Sequence, residues 1–142
     1  MQEKPIIRVL LAKPGLCTHE TGVKLLAAGL RDSGMEVIYT GVFQEKDNIA
    51  RVALQEDVDV VGLSYLNGGH VALTKGVIGA LQEVGRGDIP VIVGGIIPKA
   101  DVEPLHAIGV AGVYGPGTAI PDIAEDIRRI VKEASAAPAL AP

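Results

Sequence analysis

The side chains of this sequence best suited to chemistry crowd into one loop. Between Ala12 and a helix starting at Gly22 the chain reads KPGLCTHETG. This sets Lys13, Gly15, Cys17, His19 and Gly22 in the pattern K-x-G-x-C-x-H-x-x-G. An imidazole can ligate a metal or act as a general base. Cys17 close by suggests zinc, but zinc wants three or four protein ligands. The other histidines, His70 and His106, lie far along the sequence. A nucleophilic Cys17 needs a lowered thiol pKa. Lys13 and the following helix N-terminus could supply that, with His19 as the candidate base. Lys13 could also bind a phosphate or pair with a carboxylate. Each side chain has a plain alternative as well: a solvated loop histidine, a small weakly polar cysteine, an ordinary solvated lysine.

Three further places could meet a ligand. Ser64 closes the apolar run DVVGLS, and its hydroxyl could bond a ligand or cap a backbone group. Gly94 and Gly95 follow another apolar run. They either make a tight turn or let a flat group slide against the backbone. Tyr114 ends a third run, and core packing is its expected role on pattern alone. No G-x-x-x-x-G-K-[ST] follows any strand and no G-x-G-x-x-G follows the first, so the P-loop and dinucleotide readings fail. A phosphoacceptor receiver domain has a similar topology. It carries an acidic pair after strand one, an aspartate ending strand three and a lysine ending strand five. Here those places hold Lys13, Ser64 and Tyr114-Gly115.

The elements that position these residues are written in the periodicity. Ile6 to Ala12 is an apolar run broken only by Arg8, hence a buried strand. Gly22 to Ser33 places Val23, Leu26, Ala27 and Leu30 on one helical face, and Gly34 ends it. Strands are expected at Met35 to Thr40, Asp59 to Ser64, Pro90 to Val93 and Val110 to Tyr114. Helices are expected at Lys46 to Glu56, His70 to Val84, Ala100 to Ile108 and Ile120 to Glu133. This βαβαβαβαβα order with short connections predicts an α/β fold, a doubly wound parallel sheet with right-handed crossovers. Five strands suggest the flavodoxin-like (Rossmann-like) order 2-1-3-4-5, with its switch point between strands one and three. The glycine-bearing loops AKPGLCTHETG, SYLNGGH, VGGIIP and YGPGT then share the carboxyl edge of the sheet. Ligands bind at that edge in such folds.

Composition narrows the class. The chain has 142 residues, 48% hydrophobic and 21% charged, which is not a disordered composition. One domain is expected over residues 1–135, with 136–142 as a disordered tail of small residues and proline. A net charge of -4 without a basic block argues against a nucleic-acid partner. A single cysteine makes no internal disulfide and fits a reducing compartment. No apolar run reaches membrane-spanning length, and MQEKPIIR lacks the core of a signal peptide. A cytoplasmic protein with no membrane partner is expected.

The first loop also resembles the K-x-G-x-D-x-H-x-x-G loop of the B12-binding domains in the methylmalonyl-CoA mutase family, with Cys17 at the aspartate position. Other segments match in order. Ser64 to His70 is similar to that family's S-x-L-x-x-G-H. Gly-Arg-Gly-Asp at 85 to 88, VGGIIP from Val93 and GVAGVYGPGT from Gly109 match in kind. The resemblance implies adenosylcobalamin bound with its dimethylbenzimidazole tail detached from cobalt and His19 as the lower axial metal ligand. It implies a slot for the nucleotide tail lined by Ser64, Leu66, Gly94, Gly95, Tyr114 and Thr118. Lys13, Gly15, Cys17, Gly22, Gly68 and Gly115 would belong to the same cofactor-binding loops. It further implies an isomerase, a radical 1,2-rearrangement of an acyl-CoA, and a TIM-barrel large subunit that binds the substrate. This chain would be the small subunit, inactive alone, in a homodimer or heterotetramer. Small subunits of isobutyryl-CoA and 2-hydroxyisobutyryl-CoA mutases are close in length and layout.

Cys17 is the break in that pattern. The family's aspartate holds the other nitrogen of the ligating imidazole, and losing such an acceptor costs on the order of 10–100-fold in affinity or activity. A neutral thiol accepts weakly. Three outcomes are open: a working His19-ligated site, a site with loose cobalt ligation, or a diverged domain that no longer binds B12. Two readings from other classes stand beside the mutase. One is a non-catalytic corrinoid carrier or regulatory module; the other is a flavodoxin-like interaction domain without cofactor.

Overall fold

The computed structural model describes residues 6–15, 20–42, 44–65 and 70–136. In chain order these form β1 (Arg8–Ala12), α1 (Thr21–Asp32), β2 (Glu36–Tyr39), α2 (Lys46–Glu56) and β3 (Val60–Tyr65). They continue as α3 (His70–Glu83), β4 (Val91–Gly95), α4 (Lys99–Ala107), β5 (Gly112–Tyr114) and α5 (Ile120–Ala136). The strands form one parallel sheet in the order β2-β1-β3-β4-β5, the expected flavodoxin-like arrangement.

Strand pleating sends alternate residues to opposite faces, and each face has its own core. Leu10, Ala12, Val61, Leu63, Tyr65 and Val93 pack beneath α2, α3 and α4. Val9, Leu11, Val60 and Ile92 pack beneath α1 and α5. Helix α1 buries Val23, Ala27 and Leu30, as its spacing requires. It stops where Gly34 takes φ +92 and Met35 donates its N–H back to the Leu30 carbonyl. Arg8 interrupts the first apolar run at the amino edge of the sheet. There its guanidinium reaches Glu36, Glu56 and the Glu56 carbonyl.

Element ends lie within two residues of expectation everywhere but at the end of α5; β1 starts at Arg8 rather than Ile6, β2 is shortened to Glu36–Tyr39, and β5 starts at Gly112 rather than Val110. β4 takes in both Gly94 and Gly95, because each pairs with β3, at Ser64 and Tyr65. β3 correspondingly runs one residue past Ser64. α5 continues beyond Glu133 to Ala136, carried by alanines of high helix propensity. The largest consequence for the site lies on the α1/α5 face. Along β3 that face reads Val60, Gly62, Ser64, and along β4 it reads Ile92, Gly94. Side-chain bulk therefore falls away toward the carboxyl edge.

Candidate functional site

That loss of bulk opens a cavity of about 500 Å³ between the carboxyl end of the sheet and helices α1 and α5. Gly62, Ser64 and Gly94 form its floor. Leu11, Val23, Leu26, Ile92, Ile120 and Ile123 make apolar walls, and Leu25 and Ile96 stand exposed at its rim. The glycines are needed for different reasons. A Cβ on Gly62 would lie 2.7 Å from Leu11 Cδ2. A Cβ on Gly94 would meet nothing nearer than the Tyr114 carbonyl oxygen at 3.6 Å, so it would take up cavity space instead. Gly95 has φ +116, and a Cβ there would lie 1.8 Å from the Tyr65 carbonyl oxygen. Only glycine fits that backbone.

Lys13 is not a solvated lysine. It is 1% exposed and lines the cavity. Its backbone N–H donates to the Gly41 carbonyl and its carbonyl accepts from the Gln44 N–H, so the residue after β1 is tied to the segment after β2. Its Nζ donates to the Ser64 carbonyl at 3.3 Å and the Ser64 hydroxyl at 3.4 Å, both uncharged acceptors. Ser64 thus bonds Lys13 at the point where β3 meets the cavity.

Tyr114 is half-buried and lines the cavity as well as packing on the α1/α5 core. Its ring folds back along β5. A Cβ on Gly112 would lie 2.5 Å from the Tyr114 hydroxyl and 2.9 Å from Cζ, so glycine makes room for the ring. The hydroxyl donates to Asp126 Oδ2 on α5 at 3.0 Å. Desolvation, then the Asp126 hydrogen bond and charge, push this phenol well above its ordinary range, against a smaller opposing effect of Arg129.

The structure brings together eight of the expected site residues: Lys13, Gly22, Ser64, Gly94, Gly95, Tyr114, Gly115 and Thr118 all line the cavity. Gly15 does not. It takes φ +80, and a Cβ on it would press on Leu73 Cδ1 of α3 at 3.0 Å. Cys17, His19, Leu66 and Gly68 lie outside the described residues. The apolar walls were not singled out in the sequence. Gly62 carried a usable signal, since a glycine inside a buried strand marks close backbone approach or a ligand.

His70 belongs to the other face of the sheet. It is 3% exposed, its Nδ1 lies 3.2 Å from Asp101 Oδ2, and its ring meets Tyr65 edge-on at 5.1 Å. Tyr65 in turn shares a 2.7 Å hydrogen bond with Thr74, and burial pushes its phenol up to about 12. Among the described residues no three His, Cys, Asp or Glu side chains converge on a metal position. Among them too, no helix is long and apolar enough to cross a membrane.

A largely apolar cavity with glycines on the sheet side, at the carboxyl edge where such folds bind ligands, can admit an apolar group. Residues 7–124 match the family model described as B12 binding domain. The chain is 42% identical over 130 residues to the pivalyl-CoA mutase small subunit of Xanthobacter autotrophicus, covering 92% of this chain and 87% of that protein. It is 42% identical over 131 residues to the 2-hydroxyisobutanoyl-CoA mutase small subunit of Aquincola tertiaricarbonis, covering 92% of this chain and 96% of that protein. It is 40% identical over 126 residues to methylmalonyl-CoA mutase of Escherichia coli, but spans only 18% of that longer chain and 89% of its own length. Among solved structures, a cobalamin-binding protein from Desulfitobacterium hafniense shares the fold. The TM-score is 0.75 at 20% identity, over 87% of this chain and 58% of that one. A signal receiver domain from Vibrio parahaemolyticus also shares the topology, with a TM-score of 0.70 at 11% identity, over 92% of this chain and 93% of that one. By the extent of the family match and by its identity to these relatives, the chain belongs to the B12-binding domain family.

Proposed function

We propose that this chain is the cobalamin-binding small subunit of an adenosylcobalamin-dependent acyl-CoA mutase. The observation that carries the reading is the slot. Gly62, Ser64 and Gly94 leave the sheet bare where the α1/α5 layer stands away from it, and apolar side chains line the gap. The gap accepts a planar, mostly apolar group such as the nucleotide base of a cobalamin tail. The length of the match supports a separate subunit, because the chain spans 87% and 96% of the two small subunits.

The chain's own residues hold and orient. Gly94 and Gly95 let the cofactor's tail lie against backbone. Ser64, held by Lys13, offers a hydroxyl at the slot's floor. Tyr114 and Thr118 close its side along β5 and the following loop. His19, just before α1, is the lower axial cobalt ligand in this reading, with Cys17 in place of the usual carboxylate acceptor. Adenosylcobalamin, where bound, would supply the radical chemistry for a 1,2-rearrangement of an acyl-CoA carbon skeleton. Substrate binding falls to a separate TIM-barrel large subunit, and the assembly is a cytoplasmic isomerase.

A visible-absorbance titration of the full chain with adenosylcobalamin, repeated with His19→Ala, tests this. Saturable binding with a base-off spectrum in the wild type, altered in His19→Ala, is expected. Binding that ignores His19 would remove the axial-ligand assignment and leave the tail slot as the whole site. Absence of binding, alone and with a large subunit added, would sink the cofactor reading.

A further inference from the structure

Tyr114 enters the cavity wall in a folded-back pose that its own strand does not dictate. Side chains on a strand stand roughly perpendicular to the sheet, leaning along it. Here the ring lies along β5 with its hydroxyl over Gly112, where a Cβ would come within 2.5 Å. The tip is caught by Asp126 Oδ2 at 3.0 Å. Asp126 stands half-exposed on α5 and does not line the cavity. Its neighbours on either side of the helix do different work: Ile123 walls the cavity, and Ile127 is fully buried in the α1/α5 core. Arg129 lies 3.7 Å from Asp126 Oδ1 and leaves Oδ2 to the tyrosine. Gly94, the β4 partner of Tyr114, lines the cavity, and a Cβ there would meet only the Tyr114 carbonyl oxygen at 3.6 Å. A ring released from Asp126 has that cavity to swing into.

We propose that Asp126 is a positioning residue of this site: it tethers the Tyr114 ring back over Gly112 and so keeps open the slot above Gly94. The inference rests on the corrinoid reading for its ligand, but the tether itself does not. Tail-bearing corrinoids should feel the tether, whereas a corrin without a nucleotide tail should not. The geometry also fixes which replacements matter. Asparagine keeps an acceptor at the same reach. Alanine removes it, and Tyr114→Phe removes the donor.

The test combines two readouts on the full chain. Affinities for cobalamin and for cobinamide, the corrin lacking the nucleotide tail, are measured for wild type, Asp126→Ala, Asp126→Asn, Tyr114→Phe and the Asp126→Ala/Tyr114→Phe double variant. Asp126→Ala should weaken cobalamin about tenfold, the scale of one lost hydrogen bond to a charged group. Cobinamide affinity should hold, and Asp126→Asn, which keeps an acceptor without the charge, should fall between wild type and Asp126→Ala. The double variant should be no worse than Tyr114→Phe alone, since both changes cut one tether. The second readout is the pH titration of the Tyr114 ring by 13Cζ-tyrosine NMR, assigned by the signal lost in Tyr114→Phe. In Asp126→Ala its midpoint should fall toward the ordinary phenol value. Wild-type cobalamin affinity in Asp126→Ala, an equal loss for cobinamide, or additive losses in the double variant would each overturn the proposal. If the wild-type chain binds no cobalamin, the corrinoid reading fails separately and the NMR titration decides. A lowered midpoint upholds the tether, and an unmoved one removes it.

Discussion

Gly94 and Gly95 are adjacent and chemically identical, yet the site uses them in opposite ways. At Gly95 the constraint is the fold: φ is +116, and the space for a Cβ is filled by the Tyr65 carbonyl. At Gly94 the fold sets no such limit, because a Cβ there meets only the Tyr114 carbonyl oxygen at 3.6 Å; under the proposed function the limit there comes from the ligand. Gly95→Ala should therefore destabilise the chain by about 3 kcal/mol or more in urea unfolding. Gly94→Ala should unfold within about 1 kcal/mol of wild type, yet weaken cobalamin about tenfold by overfilling the slot. Equal stability losses, or full affinity in Gly94→Ala, would contradict this division. The pair was visible in the sequence as glycines at a strand end, but their separate duties were not. Those depend on the register that sets Gly95 against Tyr65 and Gly94 against Ser64. Lys13 shows the same limit. Its position after an apolar strand was legible; its burial was not, since that follows from backbone bonds to Gly41 and Gln44 far along the chain. Asp126 gave no signal at all, being one half-exposed acid on an amphipathic helix.

At the scale of elements, the βα units follow from apolar periodicity, and the ends lie within two residues of the expected bounds everywhere but at the end of α5, which runs three further to Ala136. Periodicity says nothing of how closely two helices approach. The distance between α1 and α5 is set at Gly29, where a Cβ would lie 2.4 Å from Ile120 Cγ2 and 3.1 Å from its Cδ1. Ile120 also walls the cavity, so this crossing sets the slot's width. In an isolated helix Gly→Ala gains about 1 kcal/mol. Here the contact is with a β-branched side chain held at its root, and overpacking of that kind costs about 1–3 kcal/mol. Gly29→Ala should be net destabilising in urea unfolding. Adding Ile120→Ala removes the two nearest atoms and leaves only the Ile120 Cβ position at 3.3 Å, so the double variant should be more stable than the sum of the single losses by at least about 0.5 kcal/mol. Additive losses would mean that α1 and α5 are kept at their distance by something other than this contact.

The molecule as a whole is asymmetric across its sheet. Beneath α2, α3 and α4 the core is filled to the carboxyl edge by Leu63, Tyr65 and Val93, with Leu73 and Val113 packed against it. Beneath α1 and α5 it stops at Leu11 and Ile92 and gives way to the cavity. The sequence contains both halves of this contrast, since Gly62 and Ser64 must share a face two residues apart. Which helices cover that face, and that Gly94 joins it, needed the strand order and register. A ligand in the hollow completes the second core and ties α1 and α5 to the sheet. At a hundred times its Kd it adds about 2.7 kcal/mol to global stability. Amides that exchange only through global unfolding should slow on both faces. Amides that exchange by local opening report the layer they sit in. Hydrogen exchange with and without cobalamin should therefore show added local protection in α1 and α5, and none in the fast-exchanging ends of α2 and α4. If the local gain appears instead on α2 and α4, the cofactor tail does not enter between the sheet and the α1/α5 layer. The cavity would then be a packing feature of the free chain, with the corrinoid held wholly at the loop edge.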